Sequence, residues 1–286
     1  MNYRHAFHAG NYGDVFKHAL LVLLLRALQR KEKGFLYLDT HAGRGAYPLP
    51  GAPGPGGRAP EWPEGIGRLW TARGLPGPLA DYVALVRAFN ERAGAGGDRL
   101  RHYPGSPWLA ALVRRPQDRL AFRERQPIEA RVLRRAFARE RRVSVECGDG
   151  YAAPRALLPP LERRALVLID PPFEAADEFV AVLGALREGL ERLPTGVFAV
   201  WYPVTERTRV ARFFAGLHEL RPPPALVAEL AVTAAPEVRM KACGLLVLNP
   251  PWRFADELRP LLPVLAATLG VDAGAAARCE WLVPET

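Results

Sequence analysis

The chain has 286 residues, 49% of them hydrophobic, and no run near the roughly 20 apolar residues that a membrane span requires. Its first dozen residues are polar and aromatic, unlike a signal peptide. Its three cysteines (Cys147, Cys243, Cys279) stand far apart without a Cys-x-x-Cys pair, so a cytoplasmic, reducing location without disulfides or a thiolate metal site is expected. The net charge of +9 favours a polyanionic partner, although lysine occurs only at 17, 31, 33 and 241, and such arginine skew is also what a GC-rich genome produces.

Taken in order, Tyr3-Arg4-His5-Ala6-Phe7-His8 opens the chain with aromatic and imidazole groups. A helix is predicted over Asp14 to Lys33, with Asp14 as its cap and Val15, Ala19, Val22, Leu23 and Ala27 at helical spacing. A buried strand, Phe35 to Leu38, runs into Asp39-Thr40-His41-Ala42-Gly43-Arg44-Gly45. Residues 48–78 are rich in Pro and Gly, and a helix is expected over Leu79 to Arg92. Because residues 49–103 break the strand-helix rhythm, they read as a small helical insertion subdomain, with 1–48 and 104–286 forming the main domain. Ser106-Pro107 has the form of a helix start, with Ser106 at the cap.

Alternation then resumes. Strands are expected at Leu120 to Arg123, Val143 to Glu146, Leu166 to Ile169, Val197 to Trp201, Ala225 to Val232 and Gly244 to Leu248. Helices are expected at Ile128 to Glu140, 176–192 and 206–218, with a short one after Gly150. The sum is an α/β chain with a Rossmann-like, seven-stranded, mostly parallel sheet that binds ligands at its carboxyl strand ends. The last two strands, with no helix between them, can pair antiparallel.

The most informative segment is the fourth strand, ending in Asp170-Pro171-Pro172-Phe173. Two prolines with fixed φ and no N–H leave carbonyls open to a ligand, and Asp170, preceding proline, is pushed into extended backbone. A carboxylate, a carbonyl and an aromatic face at one strand tip suit a planar base held by its exocyclic amine. Asn249-Pro250-Pro251-Trp252 repeats the grammar after the seventh strand, farther from the Gly-rich turn, and reads as a structural turn. At the other strand ends, Glu124 stands where a ribose diol needs an acceptor, and Asp149 where an adenine amine needs one, with Gly150 allowing close approach. The Gly43-x-Gly45 turn lacks a third glycine, since Pro48 stands there, and shows no basic phosphate pocket. S-adenosylmethionine fits this better than a dinucleotide, with Lys17 and His18 as company for its carboxylate. His5, His8, His18 and His41 fall short of a zinc ligand set.

On these residues the chain closely resembles the RlmJ family of bacterial 23S ribosomal RNA methyltransferases. The resemblance spans Tyr3-Arg4-His5-x-Phe7-His8-Ala9-Gly10-Asn11, Asp14-Val15-x-Lys17-His18, Phe35 to Gly43, Tyr103 to Pro107, Leu168 to Pro172, Trp201-Tyr202-Pro203 and Asn249 to Trp252. It implies a class I methyltransferase fold that forms N6-methyladenosine in 23S rRNA, without membrane, metal or obligate protein partner. S-adenosylmethionine is then expected at positions matching His18, His41, Ser106, Glu124, Asp149 and Gly150, beside Lys17, Asp39 and Gly43. Asp170 matches the catalytic acid, within Asp170 to Phe173. Tyr3 matches a substrate contact, joined by its neighbours Arg4 and His5 and by Phe173, which replaces a more usual tyrosine. A DNA adenine-N6 methyltransferase, a Rossmann-type oxidoreductase and a non-catalytic RNA-binding protein are the alternatives. The reading falls if a ligand-bound structure shows the Asp170 carboxyl buried in a salt link or turned from the donor sulfur.

Overall fold

In the computed structural model, residues 7–51, 59–95, 99–175, 177–235 and 240–285 are described. Helix α1 (Tyr12–Gln29) leads into β1 (Leu36–Asp39), a strand buried along its whole length, its final Asp39 included. Two short strands, β2 (Ala46–Pro48) and β3 (His102–Pro104), pair antiparallel and bracket α2 (Ile66–Thr71) and α3 (Gly77–Arg92). There follow α4 (Ser106–Val113), β4 (Arg119–Glu124), α5 (Pro127–Ala136), β5 (Val143–Cys147), α6 (Ala153–Leu157), β6 (Ala165–Ile169) and α7 (Glu178–Arg192). The chain closes with β7 (Val197–Val204), α8 (Arg207–Glu219), β8 (Ala225–Ala231), β9 (Ala242–Leu248), α9 (Phe254–Leu258), α10 (Leu261–Leu269) and β10 (Ala276–Val283).

The main sheet has eight strands, not seven, in the order β10-β8-β9-β7-β6-β1-β4-β5. The strand absent from the sequence reading, β10, pairs antiparallel with β8 at the edge and carries Arg278 and Glu280 among its apolar residues. Strands β7, β6, β1, β4 and β5 are parallel, and β8 and β9 pair antiparallel as anticipated. Strand order reverses between β6 and β1, and such a switch point opens a crevice at the carboxyl strand ends.

Helices cover both faces. α1, α4, α5, α9 and α10 build one core with Tyr37, Phe122 and Leu168, while α6, α7 and α8 build the other around Leu38, Val167 and Phe198. The inserted helices share the first core, through Ile66, Leu69, Tyr82 and Val86. Two caps move by a residue or more. Asn11, not Asp14, caps α1 and accepts from the Asp14 N–H at 3.0 Å, while Asp14 accepts from Gly10 N. Gly105 precedes α4, so Ser106 is its first helical residue.

Candidate active site

The carboxyl edge of the parallel strands gathers the acids. Asp39 ends β1 fully buried, with Tyr37 Oη donating to Oδ2 at 3.0 Å and the Ser106 hydroxyl also bonded to it. Burial pushes its carboxyl up to about 6, against those hydrogen bonds. The turn that follows needs glycine: Gly43 has φ +58°, and its N–H donates to Glu124 Oε2 at 2.8 Å. Glu124 Oε1 accepts from Gln126 N at 2.6 Å. Backbone N–H groups thus hold both Glu124 oxygens, with Arg125 adding a third donor. Burial raises this carboxyl too, against those backbone donors.

After β5, Asp149 is exposed, with Oδ1 accepting from Tyr151 N at 3.1 Å and Oδ2 unpartnered among the described residues. Gly150 is required for packing, because a Cβ there would meet the Thr40 carbonyl oxygen at 2.0 Å. That contact brings β5's end against the β1 turn. His41 in that turn has Nδ1 2.8 Å from the Thr40 hydroxyl and stands edge-on to Tyr151 at 4.9 Å. Burial lowers its imidazole to about 3, so it meets a ligand as a neutral hydrogen-bonding ring. His18 Nδ1 lies 2.7 Å from Tyr103 Oη, which in turn meets Tyr82 Oη of α3 at 2.9 Å. Arg44, the one cation at the turn, is bidentate to Glu129 at 2.6 and 2.7 Å.

Across the switch point, β6 is followed directly by Asp170. Lys17 Nζ, buried on α1, donates to Asp170 Oδ2 at 2.5 Å and to Asp14 Oδ1 at 2.8 Å. Burial alone would lower the Lys17 ammonium, but its two carboxylate partners hold it well above the ordinary lysine value. Lys17 therefore sits between two acids rather than standing open for a cofactor carboxylate. The sequence reading expected this carboxyl outside any buried salt link; the link found here takes one oxygen only, Oδ1 has no hydrogen-bond partner among the described residues, and the side chain stays 16% exposed. Phe173 has φ +51°, a left-handed conformation costing roughly 1–3 kcal/mol in a bulky residue. Its ring packs on Phe179 at 4.9 Å and Trp201 at 6.0 Å.

Sequence reasoning missed the site roles of Asp14, Phe179 and Trp201. The apolar β7 run ending in Trp201-Tyr202-Pro203 carried a signal for the last. Tyr3, Arg4 and His5 lie outside the described residues. The nearest described part of that motif is tied to the insertion, since Glu61 accepts from Asn11 Nδ2 at 3.0 Å and meets His8 Nδ1 at 2.9 Å. Asn249 lies at the opposite edge of the sheet, because β9 runs antiparallel to β7; its Nδ2 donates to the Pro194 and Gly196 carbonyls at 2.7 and 2.9 Å. Among the described residues no group of three metal-ligating side chains gathers, and no helix is long and apolar enough to cross a membrane.

The set suits S-adenosylmethionine. Carboxylate acceptors stand at the carboxyl ends of β4 and β5, and among the described residues the turn's arginine is already engaged by Glu129 rather than open to a phosphate. Residues 32–283 match the family described as "Ribosomal RNA large subunit methyltransferase D, RlmJ". The chain is 43% identical over its full length to the whole of ribosomal RNA large subunit methyltransferase J of Haemophilus influenzae. It is 42% identical, again over all of both chains, to the protein of that name from Escherichia coli. The crystal structure of protein LPL1258 from Legionella pneumophila superposes with a TM-score of 0.85 at 33% identity, covering 96% of this chain and 98% of that one.

Proposed function

Because the chain belongs to the RlmJ family of ribosomal RNA large subunit methyltransferases, we propose that it methylates the exocyclic N6 of an adenine in 23S rRNA, with S-adenosylmethionine as donor. The observation that carries the reading is the Asp170 carboxyl at the switch point: one oxygen is pinned by Lys17, and the other is left for a substrate amine. When bound, S-adenosylmethionine supplies an electrophilic methyl group on its sulfonium. Glu124 would accept from its ribose hydroxyls and Asp149 from its adenine amine. Asp39, His18, His41, Ser106, Gly43 and Gly150 shape and line the remaining walls.

The adenine must leave its stack, at a cost of a few kcal/mol unless already unpaired. Stacking on Phe173 offsets that by about 1–3 kcal/mol. An exocyclic amine is a weak nucleophile because its lone pair is delocalised into the ring. Asp170 Oδ1 and the carbonyl of Pro171 or Pro172 accept its two N–H bonds and favour a pyramidal nitrogen with an available lone pair. Asp170 then takes the proton that the methylated nitrogen sheds, since the neutral amine is too weak an acid to lose it beforehand. Lys17 acts as a positioning residue that keeps the carboxyl from turning away, a role we favour over contact with the cofactor. Tyr3, Arg4 and His5 contact the RNA in this reading. Residues 1–48 and 104–286 form the catalytic domain, with 49–103 inserted as a helical subdomain, and the enzyme works in the cytoplasm without metal or protein partner.

Incubation with labelled cofactor, followed by mass mapping of 23S RNA, tests the proposal. One N6-methyladenosine is expected. Methylation of duplex DNA in preference to RNA would favour the DNA alternative, and label on another atom or on no RNA would refute the reading.

A further inference from the structure

Between residues 125 and 142 stand seven arginines against two acids. Both acids are engaged elsewhere: Glu129 by Arg44, and Glu140 by Arg114 at 3.2 Å and Arg92 at 3.6 Å. Arg142 lies 3.7 Å from Glu162. Arg125, Arg131, Arg134, Arg135, Arg139 and Arg141 are all exposed and have no carboxylate partner among the described residues. Arg131 and Arg135 lie one helical turn apart on α5, a like-charge pair that works against the helix. Codon skew explains arginine in place of lysine. It does not explain this imbalance, because the surface helix α7 carries two arginines against three glutamates.

The place of this row gives it meaning. α5 begins immediately beyond Glu124, so Arg125 stands at the rim of the site, and the helix carries the charges away from it over about 15 Å. Guanidinium forks match phosphate oxygens and read no sequence. We propose that α5 and the turn after it form a docking track for the RNA phosphate backbone flanking the target adenine. This rests on the RNA reading above and adds where the polymer lies.

The test uses the full chain with Arg131→Gln, Arg135→Gln and Arg139→Gln combined; glutamine keeps these exposed positions helix-compatible. A control removes the same charge from the opposite face of the sheet through Arg187→Gln, Arg192→Gln and Arg212→Gln. With a 23S RNA fragment, the α5 variant should raise KM about tenfold at moderate salt. It should also flatten the slope of log affinity against log salt by about 2, near 0.7 per lost contact on a single strand. Its kcat and its affinity for S-adenosylhomocysteine should match wild type, and the control should move KM less than about twofold. An unchanged KM and slope in the α5 variant, or an equal shift in the control, would overturn the track. Wild-type protein that methylates no RNA would instead defeat the reading on which the track rests.

Discussion

Asp14, Lys17 and Asp170 form a line of two carboxylates on one buried ammonium, and their charges stand or fall together. Lys17→Met strands both carboxylates, so a loss of stability on the order of 3–5 kcal/mol is expected along with loss of turnover. Adding Asp170→Asn to that variant should return part of the stability and none of the activity, as read by chemical denaturation beside a methylation assay. Asp39 carries a pH signature. Between its ordinary 3.8 and its folded value of about 6, the folded chain holds a proton that the unfolded chain has released. Its contribution to stability therefore falls as pH climbs through that window and stays low above it. Asp39→Asn should raise stability at pH 7.5 by up to about 3 kcal/mol and leave it unchanged near pH 3.5, while weakening cofactor binding. An equal gain at both pH values would show that folding does not shift this carboxyl. At Phe173, tyrosine should keep activity and alanine should lose it; a fully active alanine variant removes the stacking role.

Among the elements, the two Pro-Pro motifs show what topology adds to pattern. Both follow buried strands, but β6 delivers Asp170 to the switch point and the reversed β9 delivers Asn249 to the far edge. Asn249 adopts φ +51° and staples the β7 approach with two hydrogen bonds. Asn249→Ala should cost about 1–3 kcal/mol of stability and leave turnover within about twofold. A collapse in rate at unchanged melting temperature would reverse the roles given to the two motifs. The mostly apolar runs made β1, β4, β6, β7, β8 and β9 legible, since strands buried on both faces admit few polar residues, and β5 was found from its place in the strand-helix rhythm. Strand β10 escaped because an edge strand with Arg278 and Glu280 breaks that run. β2 and β3 escaped because three-residue strands with prolines carry no periodicity. The acids at strand ends were legible because each follows a predicted strand at its carboxyl end. The Lys17–Asp170 link was not, since 153 residues separate the pair and only the lie of α1 across the carboxyl edge unites them.

For the molecule as a whole, charge and core tell complementary stories. The inserted helices pack into the core that holds α1, and Tyr82 reaches the candidate cofactor wall through Tyr103 and His18. The insertion is therefore packed as one body with the wall that holds His18. The claim on which everything else depends is that the Asp170 carboxyl handles the amine of the target base. Single-turnover methyl transfer to 23S RNA by Asp170→Ala, alongside calorimetry with S-adenosylhomocysteine, tests it most directly. Lys17 keeps Asp14 as a partner in that variant, so the fold should survive. The account predicts transfer slowed by at least about a thousandfold, on the scale of lost acid–base and alignment effects, with cofactor affinity near wild type. Transfer within a few-fold of wild type by a folded, cofactor-binding variant would contradict it.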